Sequence, residues 1–198
     1  MAPCINLYNN QVNDNTNWDV WDDTAGGRIL LPDYEKYAQL CVLLGDVVSK
    51  LPDPESLYMC DTHAEIGECV RAWVPDGATF NICNIDHHHD WGYGDYDQGW
   101  EQLTEGCGCG NWAPYLRRVY GDRFLSYVWV HNEKSDLGIF DYVKEYMPPY
   151  QHFTIDIGEL NGLQFDKVFI CCSSPWIPTE CKYLFVGMTD LLDKIIKK

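Results

Sequence analysis

An apolar run, Ala78-Thr79-Phe80-Asn81-Ile82-Cys83, passes directly into Asn84-Ile85-Asp86-His87-His88-His89-Asp90. This junction constrains the fold more than any other stretch of the chain. The run has the length and residue types of a buried strand. Its end packs two carboxylates and three imidazoles into five consecutive positions, half of the six histidines in the protein. Alternate side chains of a strand point the same way, so Asp86, His88 and Asp90 are expected to converge on one point. If the strand continues, His87 and His89 are expected to face away, either supporting the ligands or simply packing. Carboxylate and neutral imidazole together suit a divalent ion such as Mn, Fe or Zn. Burying so many polar groups at a strand end without an ion would be costly. An internal triplet in this setting is not an expression tag.

The flanking pattern alternates between strand and helix. Apolar positions at Tyr37, Leu40, Cys41, Leu44 and Val48 give Tyr34–Lys50 a helical period, ended by Pro52 and Pro54. Leu57–Cys60 reads as a strand and Glu65–Trp73 as a helix. Pro75-Asp76-Gly77 is a turn, and Thr79–Ile85 the next strand. Residues 90–110 read as a Gly-rich loop, and Asn111 is placed to cap a helix over Trp112–Tyr120. The pattern goes on with a strand at Phe124–Val130, a helix at Asp136–Tyr146, strands at His152–Ile157 and Val168–Cys172, and a closing helix at Thr189–Ile196. Such alternation predicts an α/β fold, three layers with a mostly parallel sheet flanked by helices. In these sheets sites form at the carboxyl ends of strands. Residues 1–33 read as an irregular N-terminal segment, with a short strand at Ile5–Tyr8. No low-complexity linker divides the chain, so 1–198 is expected to be one domain.

Composition narrows the class. With 198 residues, 46 % apolar content, 8 Trp and 13 Tyr, the chain can build a real core. The net charge of −16 argues against nucleic acid or an anionic membrane as partner, since both need a basic face. It accords with a metal ion or a cationic substrate. No apolar run reaches the roughly 20 residues of a membrane span. Without a visible export signal, most of the ten cysteines read as reduced core thiols of a cytoplasmic protein, with disulfides the minority reading. Cys107-Gly108-Cys109 could suggest a zinc or redox pair, but it lacks a second pair and reads as a flexible loop near the site.

Four successive strand ends carry ligand-type residues: Asp61-Thr62-His63, Asp86 to Asp90, His131-Asn132-Glu133, and Asp156 followed by Glu159. An isolated histidine such as His131 or His152 is more often structural than ligating. Four consecutive ends together point to one metal-centred site.

Cys60-Asp61-Thr62-His63-Ala64-Glu65-Ile66-Gly67 through Ile85-Asp86-His87-His88-His89-Asp90 resembles the metal core of the arginase (ureohydrolase) superfamily. More specifically it resembles an arginase-related branch that includes peptide arginases, with Asn111-Trp112 and Val128-Trp129-Val130-His131 continuing the pattern. The resemblance covers about residues 57–133. It implies an arginase-like fold and hydrolysis of a C–N bond, most directly of a guanidino group, with hydroxide as nucleophile. Arginine, free or in a ribosomally made peptide, would become ornithine and urea. His63, Asp86 and Asp90 would ligate one Mn²⁺; Asp86 and His88 would ligate a second. Position alone makes Glu101 and Glu105 candidates for pairing with a guanidinium, and His131 a candidate proton donor to the leaving amine.

Arginases complete the site with an Asp-x-Asp strand end. Here Thr154-Ile155-Asp156-Ile157-Gly158-Glu159 keeps only Asp156, Val168–Pro175 has no Asp, and Ile5–Tyr8 offers only Asn6. One or two metals therefore stay open, with Zn²⁺ or Fe²⁺ as alternatives to Mn²⁺. Two other functions also stay open: a mononuclear, deacetylase-like hydrolase, and a catalytically silent metal-binding protein. The expected partner is a cationic small molecule or an arginine-containing peptide. A homo-oligomer is neither implied nor excluded.

Overall fold

The computed structural model describes residues 34–86, 88–92, 99–131, 135, 137–139, 141–154, 164–173 and 182–198. These residues divide into two compact units. One is drawn from the segments before Thr62 and after Thr154, the other is Thr62–Thr154. The fold is α/β, with parallel sheets and flanking helices. No helix among the described residues is long and apolar enough to cross a membrane.

The first unit contains α1 (Tyr34–Val48), β1 (Leu57–Cys60), β5 (Val168–Cys171) and α6 (Lys182–Ile196). Strands β1 and β5 pair in parallel, Leu57 opposite Val168 and Cys60 opposite Cys171. The helical period read between Tyr34 and Lys50 produces an apolar stripe. Leu40 and Val48 from it bury against Ile170 of β5 and against Met188 and Leu192 of α6. Helix α6 begins seven residues before the expected Thr189, because Leu184 and Met188 extend its buried face.

The second unit holds α2 (Ile66–Trp73), β2 (Phe80–Ile85), α3 (Trp100–Leu103), α4 (Trp112–Tyr120), β3 (Phe124–His131), α5 (Asp141–Lys144) and β4 (Tyr150–Thr154). Its sheet has the order β2-β3-β4, all parallel. Central β3 buries Phe124, Tyr127, Trp129, Val130 and His131. Trp91, Trp112, Leu116 and Val143 complete an aromatic-rich core around it. Gly92 is required where the chain leaves the site. Its φ is +106°, and an added Cβ would meet Leu103 Cδ1 at 2.9 Å.

Several sequence expectations shift. The helix expected over Asp136–Tyr146 is confined to Asp141–Lys144; upstream, the Gly138 carbonyl is a hydrogen-bond partner of the His89 ring. The strand expected from His152 begins earlier, at Tyr150, and is described to Thr154. The loop expected over 90–110 contains α3. Asn111 precedes α4 but makes no side-chain cap. Its Nδ2 instead donates to the carbonyls of Leu103 and Gly106, and its Oδ1 accepts from the Gly108 N–H. Residues 1–33, with the strand expected at Ile5–Tyr8, lie outside the described residues, as do Glu133 and Asp156 to Glu159.

Candidate metal centre

Strand β2 ends at Ile85, and the backbone then turns. The backbone N–H of Asp86 still reaches the Val130 carbonyl of β3, at 3.1 Å. After that the chain leaves the sheet, and Asp90 adopts a left-handed φ of 52°. Aspartate tolerates this conformation better than most residues. The convergence expected from strand alternation therefore arises differently. A loop, not an extended strand, brings Asp90 back towards Asp86. His88 is not part of the resulting cluster, which consists of His63, Asp86 and Asp90.

These three residues each offer a donor atom, all within 4.8 Å of one another. Nε2 of His63 lies 3.5 Å from Asp86 Oδ2, and Nδ1 lies 3.3 Å from Asp90 Oδ2. His63 opens a 3₁₀ turn, His63–Glu65, which runs into α2. Thr62 starts that turn by accepting the Ala64 N–H through Oγ1. The two carboxylates are 2 % and 3 % exposed, so neither is solvated as a free anion would require.

Each carboxylate is held from behind. Trp112, at the start of α4, donates its indole N–H to Asp90 Oδ2 at 2.6 Å. The His88 backbone N–H donates to Asp86 Oδ1 at 3.3 Å, leaving Oδ2 towards His63. Trp129 of β3 donates its indole N–H to the Asp86 carbonyl at 2.9 Å. Burial pushes the Asp86 carboxyl up to about 7; His63 opposes this and the Asp90 charge adds to it.

His89 is held by hydrogen bonds of the fold. Its Nδ1 accepts the Trp91 N–H at 3.0 Å, which fixes the proton on Nε2, 3.2 Å from the Gly138 carbonyl. The ring meets Trp129 edge-on, and the Tyr127 hydroxyl donates to the His89 carbonyl. The buried Trp91 Nε1 has no hydrogen-bond partner among the described residues.

The remaining site expectations fare differently. His131 ends β3, buried, with Nε2 3.1 Å from Nδ1 of the exposed His152 on β4. The Glu101 carboxylate pairs with Arg118 at 2.9 Å on the surface. Glu105 is exposed just past α3. Asp156 lies outside the described residues.

Spacing could not reveal Trp112, Trp129 or the Thr62 turn as supports of the site. An indole reads as core until its N–H is seen to meet a carboxylate. Comparisons with protein-family models, with curated proteins and with solved structures find no match. The donor set itself fits a divalent cation. Two carboxylates and a neutral imidazole are ordinary ligands for Mn²⁺, Fe²⁺ or Zn²⁺, and two negative charges balance one dication.

Proposed function

We propose that His63, Asp86 and Asp90 hold a catalytic divalent cation and that the protein hydrolyses a C–N bond. The substrate class proposed is a guanidino group, with arginine, free or within a peptide, converted to ornithine and urea. The observation that carries this reading is the burial of two carboxylates against one imidazole, with no lysine or arginine paired to either carboxylate among the described residues. Two anions in such a place need two positive charges. A dication supplies both. The resemblance of residues 57–133 to arginase-type sequences supports the guanidino substrate, and Mn²⁺ is the first metal to test. The chain's charge of −16 favours approach of a cation.

When bound, the ion lowers the pKa of water and so provides hydroxide near neutral pH. The protein's own groups do the rest. Asp90 is oriented by the Trp112 N–H. Asp86 is aimed by the His88 backbone N–H. His131 delivers a proton to the departing amine, and its contact with exposed His152 offers a way to recover that proton from solvent.

The test combines elemental analysis with a product assay. Protein loaded with Mn²⁺ is expected to release urea and ornithine from arginine or an arginyl peptide, and Asp86→Asn to abolish both metal and turnover. Metal retained without any urea would sink the guanidino reading and leave a metal-binding protein. Absence of metal from wild type would sink the centre itself.

A further inference from the structure

The Cys107-Gly108-Cys109 loop is tied to both sides of the candidate metal centre. Cys109 is exposed, and its Sγ lies 3.0 Å from Thr62 Oγ1. The same Oγ1 accepts the Ala64 N–H at the start of the turn that carries His63. Cys107 is half-buried and packs on α2, its Sγ 3.1 Å from where a Gly67 Cβ would stand. Gly108 between them is pinned. Its N–H donates to Asn111 Oδ1 at 2.7 Å, and a Cβ there would meet that oxygen at 2.7 Å. Asn111 adjoins Trp112, the residue that holds Asp90. The loop thus touches the His63 turn through Cys109 and the Asp90 support through Asn111.

Both thiols are free. Residues two apart lie within about 7 Å at Cα whatever the backbone, close to the window of about 4.4–6.8 Å that a disulfide spans. We propose that Cys107 and Cys109 form a redox switch: their disulfide withdraws Cys109 from Thr62 and displaces His63. Low-molecular-weight disulfides such as glutathione disulfide are the oxidant class. Exposed Cys109, as thiolate, attacks one sulfur of glutathione disulfide and expels one glutathione thiolate. Cys107, as thiolate, then attacks Cys109 Sγ in the mixed disulfide and expels the second. Two protein thiols lose two protons and two electrons, and one glutathione disulfide becomes two glutathione thiols. The consequence for metal affinity rests on the reading of His63 as a ligand; the movement of His63 does not.

The experiment treats the full protein with glutathione disulfide, then with a dithiol reductant. Peptide mass mapping reads the bond, side-chain NMR of His63 in metal-free protein reads the movement, and Mn²⁺ titration reads affinity. A Cys107–Cys109 bond, a reversible His63 shift and Mn²⁺ binding weakened at least about tenfold are expected. Cys107→Ser with Cys109→Ser should respond to neither reagent. No bond between the two, or a bond with His63 unmoved, would overturn the switch. A His63 shift in a protein that binds no Mn²⁺ in either state would uphold the switch and remove the metal reading.

Discussion

Two strand ends in this chain use the same backbone device and come to different ends. After β2, Asp90 sits at φ 52°; after β5, Ser173 sits at φ 51°. Both are buried. Ser173 satisfies itself locally: its N–H and Oγ both turn to Cys171 Sγ, at 3.3 and 3.4 Å. Asp90 is satisfied from far along the chain, by the Trp112 indole and the His63 ring. A left-handed residue closed on its own neighbour is a turn. One held by remote partners, with a second carboxylate beside it, stores polar groups that the fold alone does not need. Only the first strand end reads as a place for a ligand.

Removing a carboxylate is the strongest way to break that contrast. Asp86→Asn is expected to cut Mn²⁺ content from stoichiometric to background by elemental analysis. It should also change how metal-free stability depends on pH. The folded Asp86 carboxyl is raised to about 7, so its contribution is fully present below its ordinary value of 3.8 and is lost as pH rises through about 7. Denaturant titrations of metal-free wild type should therefore show stability falling across that window. Asp86→Asn, which has no proton to lose there, should flatten the slope. A wild-type slope of the opposite sign would mean that Asp86 is ionised without a metal.

Trp112→Phe is the next largest effect. It keeps the ring in the core but withdraws the N–H from Asp90 Oδ2. A buried charged acceptor left without its donor costs about 1–3 kcal/mol. Loss of a group that orients a ligand weakens metal binding about 10–100-fold. Calorimetric titration with Mn²⁺ and thermal unfolding measure the two separately. Unchanged affinity would show that Asp90 is oriented by His63 alone.

Much of this was legible in the sequence, for identifiable reasons. Leu57–Cys60, Phe124–Val130 and Trp112–Tyr120 carry strong local periodicity, and each forms within a residue of its expected bounds. The clustering of His63, Asp86 and Asp90 was legible because each stands at or just past the end of an apolar strand. His88 was read as a ligand by extending alternation past Ile85, where the strand stops; the cluster found among the described residues is His63, Asp86 and Asp90. Glu101 pairs with Arg118, the seventh residue of α4, and no sequence signal links that position to α3. The supports of the site were illegible for the same reason: Trp112 reaches Asp90 across 22 residues and Thr62 reaches Cys109 across 47.

The His88 discrepancy gives a smaller prediction with a clear outcome. The backbone N–H of His88, not its ring, serves Asp86. His88→Ala keeps that N–H, so metal content should match wild type within the error of elemental analysis. A fall in content would return His88 to the ligand set.

Ser173→Gly should do least, and it is the control for the comparison. Glycine relieves a left-handed strain of about 1–2 kcal/mol. It gives back about 0.5–1 kcal/mol in chain entropy and also forfeits the Oγ contact with Cys171. These terms nearly cancel, so the stability change by denaturant titration should stay below about 1 kcal/mol. Metal content should not move. Asp90→Gly relieves the same backbone strain but removes the carboxylate, so metal should be lost although the backbone is more relaxed. If Asp90→Gly kept its metal as Ser173→Gly does, the Asp90 carboxylate would not be a ligand, and the contrast between the two strand ends would fail.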